Sequence, residues 1–160
     1  MNRLTPRALV LLLPIALGLA VQAQAPPAPQ RIVSLVPAVT EMLFAIGAGP
    51  QVVGVSSFDK YPEDVKTRAR VGALVDPDVE RILSLRPDLV AVYATQDELR
   101  TQLARAGIAS FVYKHHGLPD ITASMRALGV ATGRAEGGER AARAFEQRVA
   151  RVRAALTGDP

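Results

Sequence analysis

The fold depends on the stretch Arg31-Ile32-Val33-Ser34-Leu35-Val36-Pro37-Ala38-Val39-Thr40-Glu41. Its first half is a short apolar run rich in β-branched residues, which predicts a buried strand over 32–36. Proline follows at position 37, and proline suits the first turn of a helix because N–H groups there have no partner within the helix. The stretch therefore predicts a strand that passes directly into a helix, which continues to Ile46 and ends at Gly47.

The same alternation of strand and helix returns along the chain. The predicted strands cover residues 32–36, 52–55, 89–93 and 110–113, and the predicted helices cover 37–46, 76–85, 97–106 and 120–131. We expect Asp120 to cap the last of these helices, and the polar stretch 56–70 to form a loop that contains a short turn of helix over 62–65. Continuous apolar strands between helices indicate a parallel sheet covered on both sides. The predicted fold class is α/β, an open, Rossmann-like parallel sheet with helices on both faces.

A longer helix is predicted to follow the sheet. The segment 135–156 would extend about 30 Å at a rise of 1.5 Å per residue. Its apolar residues lie at helical spacing and form one stripe, which consists of Ala141, Phe145, Val149, Val152 and Leu156. Arginines occupy much of the rest of its surface, which predicts a solvated face rather than an anion site. We expect so long a helix to pack against something beyond the sheet.

The first 25 residues predict a secretory signal peptide. Arg3 and Arg7 precede an apolar run, and Ala23-Gln24-Ala25 has the small residues of a cleavage site. Cleavage after Ala25 would leave a proline-rich spacer, 26–30, and would remove two arginines, which lowers the formal net charge from +4 to +2. The chain has no cysteine for lipid attachment. We therefore predict a soluble exported protein.

The residues present disfavour several kinds of chemistry. Without cysteine there is no thiolate nucleophile and no thiolate metal site, and no phosphate-binding loop, serine elbow or zinc-protease motif occurs. The two histidines, His115 and His116, are adjacent and would point to different sides of an extended segment, which disfavours a shared metal ion. A contact between one of these histidines and a ligand or a haem iron stays an open alternative. We expect no enzyme, no bound cofactor, no metal and no nucleic-acid partner.

A ligand site is predicted from the fold class. Ligands of open α/β sheets bind beyond the carboxyl ends of the strands. The residues predicted at those ends are Pro37, Ala38, Phe58, Tyr61, Thr95, Gln96, Lys114 and His115. They combine aromatic and hydrogen-bonding groups without a nucleophile–base pair, which favours binding over catalysis. Phe58 and Tyr61 have an alternative role, which is to pack beneath their own loop.

The stretch 31–41 resembles the opening of the periplasmic binding proteins that deliver vitamin B12, iron-siderophores or haem to ABC importers. Further similar segments follow in the order of that family, and they are 53–57, Tyr61-Pro62, 71–72, 79–85, 86–90 and 103–108. The resemblance extends from Arg31 to about Arg153. It implies a receptor of two α/β lobes joined by a long rigid helix, with the ligand between the lobes.

The resemblance also implies roles for parts of this chain. Residues 31–134 would be the N-terminal lobe and 135–156 the connecting helix, with the second lobe absent. Phe58 matches an aromatic residue of the vitamin B12 receptors, whereas Leu74 stands where those receptors carry another one. Glu80 matches a surface glutamate that pairs with permease arginines. The implied protein is periplasmic, captures a cobalamin, a ferric siderophore or haem, and reaches the membrane only through importer permease subunits.

Two other hypotheses follow from the residues alone. The chain could be a stand-alone α/β interaction module that dimerises through the apolar stripe of its C-terminal helix. It could also be a small hydrolase or transferase, although the sequence offers no catalytic pair for that role.

Overall fold

The computed structural model describes residues 27–158 as a parallel sheet with helices on both sides. The sheet has five strands, which are Ile32–Ser34 (β1), Val52–Val55 (β2), Ala69–Arg70 (β3), Leu89–Tyr93 (β4) and Ala109–Tyr113 (β5). Their spatial order is β3-β2-β1-β4-β5, and all neighbours are parallel. The predicted α/β class is confirmed. The predicted signal peptide over 1–25 lies outside the described residues.

The stretch 56–70 contains a short helix, which overlaps the helical turn predicted over 62–65, and a strand that was not predicted. Glu63–Thr67 form a short 3₁₀ helix, and Ala69–Arg70 form the edge strand β3. A two-residue strand is too short to show a period in the sequence. It exists because Val55 and Gly54 of β2 offer it a partner in the sheet.

Five α-helices accompany the strands in the described residues. They are Pro37–Ala45 (α1), Val79–Ser84 (α2), Asp97–Arg105 (α3), Leu118–Ala131 (α4) and Ala135–Thr157 (α5). The prediction that Asp120 caps α4 was wrong, because the helix begins two residues earlier and Pro119 occupies its first turn. Asp120 lies within that turn, where its carboxylate accepts a hydrogen bond of 2.8 Å from the backbone N–H of His116. This bond lowers the pKa of Asp120.

Alternate residues of the central strands supply two separate cores. Ile32 of β1 belongs to the core beneath α1 and α4, which also contains Leu43 and Leu128. Val33 belongs to the opposite core, beneath α2 and α3, together with Ile82 and Leu103. Because successive strand residues point to opposite faces, one apolar strand can hold both helical layers.

The α4–α5 pair packs so closely that glycine is required at the crossing. A Cβ atom added to Gly138 would lie 2.7 Å from the carbonyl oxygen of Met125 and 3.1 Å from the Cα atom of Gly129. Gly137, one residue earlier, lies directly against the carbonyl oxygen of Ile46 at the end of α1. The start of α5 is therefore in backbone contact with two other helices.

An ion-pair cluster continues the α4–α5 contact along the helices. Arg126 donates from Nε to Glu139 Oε2 at 2.7 Å and from Nη1 to Glu146 Oε1 at 3.0 Å. Arg143 donates to the other oxygen of Glu139 at 2.6 Å. The hydrogen bonds that Arg126 and Arg143 donate to Glu139 lower the pKa of Glu139 to about 2, and the bond from Arg126 contributes more.

The far end of α5 leaves the body of the protein. Val152 is 56% exposed and Leu156 is 82% exposed, so the predicted apolar stripe is uncovered there. Closer to the body, Phe145 and Val149 line an open groove of about 530 Å³ with Leu118 and Pro119 of α4. Across residues 27–158, no helix combines the length and the apolar character that crossing a membrane requires.

We expect Gly138→Ala to destabilise the protein by about 1 to 3 kcal/mol, the usual cost of forcing atoms into a packed site. Helix propensity alone would give the opposite sign, because alanine is the better helix former by about 1 kcal/mol. Urea unfolding followed by circular dichroism measures the change. Ala144→Gly, at an exposed position of the same helix, is the control for propensity. A more stable Gly138→Ala variant would contradict the close contact.

Candidate functional site

The strand order places a crevice at the carboxyl end of β1. From β1 the chain moves outward to β2 and β3 on one side, and it later returns to build β4 and β5 on the other side. The loops after β1 and β4 therefore lead away in opposite directions, which is the arrangement that opens a ligand crevice in α/β sheets. The predicted site residues all follow strand ends along this edge.

An open groove of about 470 Å³ lies at this edge, against α2 and α3. Its lining residues are Leu74, Val75, Pro77, Val79, Thr95, Gln96, Glu98, Leu99 and Gln102. Leu74, Thr95 and Gln96 are among the predicted site residues, and the structure brings these three together. The others were missed because their positions depend on how the loop after β3 folds toward the start of α3.

The loop after β3 presents apolar groups to solvent. Gly72 forms a bridge with Pro77, and Ala73 and Asp76 exchange backbone hydrogen bonds of 2.9 and 3.2 Å. This tight turn leaves Val75 at its tip, 90% exposed. A valine so exposed gains nothing from the fold itself, so it is available to a ligand or a partner.

Gln96 has its side-chain amide engaged within the protein. Its Oε1 atom accepts a hydrogen bond of 2.9 Å from the N–H of Tyr93, and its Nε2 atom donates one of 2.8 Å to the carbonyl oxygen of Leu74. Gln96 therefore links the end of β4 to the loop after β3. Its predicted contact with a ligand stays a prediction.

Phe58 and Tyr61 are both 67% exposed on the loop after β2. The alternative role, packing beneath the loop, does not fit side chains as accessible as these. They do not line the 470 Å³ groove. The loop 56–61, called the aromatic loop below, and the groove are therefore two separate parts of the same edge.

The backbone of the aromatic loop is held by several hydrogen bonds. The hydroxyl of Ser56 accepts from the N–H of Phe58 at 3.2 Å, and Ser57 donates to the carbonyl oxygen of Gly72 at 2.7 Å. Arg70 of β3 donates from Nη1 to the carbonyl oxygens of Ser56 and Asp59, both at 2.9 Å. An exposed aromatic ring on a fixed backbone is a typical recognition element.

The loop after β5 carries Lys114 and His115, and both side chains are exposed. His115 stacks on the ring of Tyr113, and its Nδ1 atom lies 3.4 Å from the tyrosine hydroxyl. Burial raises the pKa of Tyr113. Tyr93, the last residue of β4, meets Tyr113 edge to face at a centroid distance of 6.0 Å. The contact between these two tyrosines was not predicted, although both predicted strands end in tyrosine.

The remaining predicted residues lie at the starts of helices. Pro37 and Ala38 open α1 directly after β1, with Pro37 half-buried and Ala38 exposed. Glu80 is an exposed residue in the first turn of α2, whose start is capped by the carboxylate of Asp78 through a 2.8 Å hydrogen bond from the N–H of Arg81. Its neighbour Val79 lines the groove, whereas Glu80 is not among the lining residues. Over 27–158, no cluster of three or more metal-binding side chains occurs.

Known proteins are similar to this chain in sequence and in fold. Residues 32–159 match the periplasmic binding protein family, and the chain belongs to that family. The vitamin B12-binding protein of Pectobacterium carotovorum is 38% identical over 127 residues, which is 78% of this chain and 46% of the relative.

Two solved structures are similar as well. The periplasmic vitamin B12-binding protein BtuF of Vibrio cholerae has a TM-score of 0.74 at 29% identity, over 81% of this chain and 52% of that one. The periplasmic heme-binding protein RhuT from Roseiflexus sp. RS-1 has a TM-score of 0.72 at 34% identity, over 78% and 49%. The chain thus spans about half the length of the relatives it matches.

Proposed function

We propose that this chain acts in the substrate-binding component of an ABC importer. In this role it captures a cobalamin or a ferric siderophore in the periplasm and delivers it to a membrane permease, with haem as a third candidate ligand. The observation that carries the proposal is the exposure of Phe58 and Tyr61 beside an open groove, in a chain of the periplasmic binding protein family. The names of the similar proteins, which bind vitamin B12 or heme, support these ligand classes.

The chemistry of the edge suits a large flat ligand. Phe58 and Tyr61 offer ring faces for stacking, which adds about 0.5 to 1.5 kcal/mol per aromatic pair to area burial. Leu74 and Val75 add aliphatic surface at the groove. The charged and polar groups of Lys114 and His115 suit an acidic substituent or a metal centre of the ligand. Pro37, Ala38, Thr95 and Gln96 complete the proposed ligand-contacting set.

The half-length match bears on the strength of binding. In the proposed receptor the ligand lies between two lobes, and residues 31–134 supply one of the two walls, with 135–156 as the connecting helix. A single wall buries at most part of the ligand surface, while the cost in translational and rotational freedom is unchanged. We therefore expect binding by this chain alone to be weak, with dissociation constants in the micromolar range or above.

The ligand proposal predicts saturable binding by an edge that contains Phe58. We expect cyanocobalamin, haemin or a ferric siderophore to be bound, and Phe58→Ala to weaken the affinity about tenfold through loss of stacking. Absorbance titration and quenching of tyrosine fluorescence measure this, since the chain has no tryptophan. Phe58→Tyr keeps the ring, and Val130→Ala trims an exposed apolar side chain elsewhere. Absence of binding at high micromolar concentration for all three ligands would refute the proposal.

We propose that Glu80 contributes to docking on the permease. Its carboxylate is exposed in the first turn of α2, where it can meet basic groups of a partner. Such charges affect the association rate and orientation more than ligand affinity. We expect Glu80→Ala to slow association with a reconstituted vitamin B12 importer, most clearly at low salt, and to leave ligand titrations unchanged. Glu41→Ala removes an exposed carboxylate from α1 as the control. Equal loss of ligand binding would contradict a docking role.

A second candidate function rests on the uncovered stripe of α5. Val152 and Leu156 are exposed beyond the groove formed by Leu118 and Val149, and exposed apolar residues of this kind favour association. A stand-alone module that dimerises through α5 would give a discrete dimer in light scattering at low micromolar concentration, and Leu156→Glu would convert it to a monomer. A monomer at all concentrations would leave the receptor as the better explanation.

A further inference from the structure

Two loops at the candidate ligand edge carry its most exposed apolar side chains. The loop 56–61 carries Phe58 and Tyr61, and the loop 72–77 carries Val75. Each loop is tied to the sheet by one long polar side chain that comes from a different part of the chain. Arg70 reaches the first loop, and Gln96 reaches the second.

Arg70 joins the two ends of a tight turn. Its Nη1 atom donates to the carbonyl oxygens of Ser56 and Asp59, which flank Phe58 in sequence. The N–H of Asp59 donates to the same carbonyl oxygen of Ser56 at 3.2 Å. The loop therefore keeps its shape through its own bonds and through a guanidinium that is fixed in the neighbouring strand β3.

Asp59 is the buried residue of this turn. The residue is 3% exposed, and neither carboxylate oxygen has a hydrogen-bond partner in the described part of the chain. Arg70 donates to the backbone carbonyl oxygen of Asp59 and not to its carboxylate. A side chain without a donor at position 70 would therefore remove two hydrogen bonds from the backbone of the turn, one at Ser56 and one at Asp59.

Gln96 holds the loop 72–77 by a similar hydrogen bond. It donates to the carbonyl oxygen of Leu74, 22 residues away in sequence, while its oxygen accepts from Tyr93 at the end of β4. The side chain is nearly buried, and a glutamine can make both bonds at once because its amide is donor and acceptor. This contact sets one wall of the 470 Å³ groove.

We propose that Arg70 and Gln96 are positioning residues. Arg70 holds the aromatic loop, 56–61, and Gln96 holds the loop 72–77 in the conformation that binds a ligand, before the ligand is present. Their ligand role rests on the proposed function. Loops fixed in advance lose less conformational freedom on binding, which raises affinity without adding a contact. Gln96 acts in this way through Leu74, and this positioning role is separate from its proposed contact with the ligand.

Hydrogen–deuterium exchange followed by mass spectrometry tests the two positioning residues separately, without a ligand. We expect Arg70→Met to speed exchange about tenfold in the peptide covering 56–61 and to leave 72–77 unchanged. We expect Gln96→Glu to do the reverse, because a carboxylate cannot donate to the carbonyl oxygen of Leu74. Tenfold corresponds to the loss of about one hydrogen bond. Arg105→Met, at an exposed arginine that ends α3, should change neither peptide.

Conservative variants guard against a general loss of stability. Arg70→Lys keeps the positive charge and a donor, so we expect exchange between that of wild type and that of Arg70→Met. Gln96→Met keeps the volume without introducing a charge, and it should reproduce the effect of Gln96→Glu on 72–77. Unchanged exchange in both loops, or equal acceleration of both loops by either variant, would overturn the proposal.

Titration with cyanocobalamin separates this proposal from the proposed function. If wild type binds, we expect Arg70→Met to weaken the affinity about tenfold although Phe58 is still present. Equal affinity of wild type and Arg70→Met, with faster exchange in 56–61, would overturn the positioning role. If wild type binds none of the three ligands, the proposed function fails, and the exchange experiment alone then decides whether the two side chains hold their loops.

Discussion

The complete burial of one short strand is the constraint on which the rest of the structure depends. Ile32, Val33 and Ser34 of β1 have no exposed surface, since β2 and β4 pair with the strand on either side and helices cover both faces. The carboxylate of Asp88, just before β4, fixes the entry to β1 by accepting hydrogen bonds from the N–H groups of Gln30 and Arg31 at 2.7 and 2.9 Å. The chain continues from β1 to one side of the sheet and later returns to build the other side, so a crevice opens at the carboxyl end of this central strand.

The side chains that could contact a ligand in the crevice lie on separate loops, each of which follows a different strand of the sheet. The exposed aromatic residues lie on the loop after β2, whereas Thr95 and Gln96, which follow β4, and residues of α3 form one side of the groove. The hydrogen bond from Gln96 to Leu74 links the end of β4 to the loop after β3, whereas Arg70 joins β3 to the loop after β2.

The contact between α4 and α5 depends on close packing of the two helices, in contrast to the exposed side chains of the loops. Gly129 and Gly138 let the two helices approach to backbone distance, and the ion pairs of Arg126 extend this contact along the helices. The direction of α5 is thereby fixed at its start, and its far end carries uncovered apolar residues away from the sheet. That geometry agrees with a connecting helix, and it agrees equally with a helix that pairs with a second copy.

Local sequence determined the class of fold, the central strands and the helices, because apolar period, proline and glycine act over a few residues. It also indicated the strand ends where the site would lie and the aromatic residues at Phe58 and Tyr61. It missed β3, the start of α4 and most of the groove. Those features depend on partners distant in sequence, such as β2 for Ala69–Arg70 and Leu74 for Gln96. Whether a polar side chain faces a ligand or secures a loop is decided by what the folded chain places within hydrogen-bond distance, and only the tertiary structure contains that information.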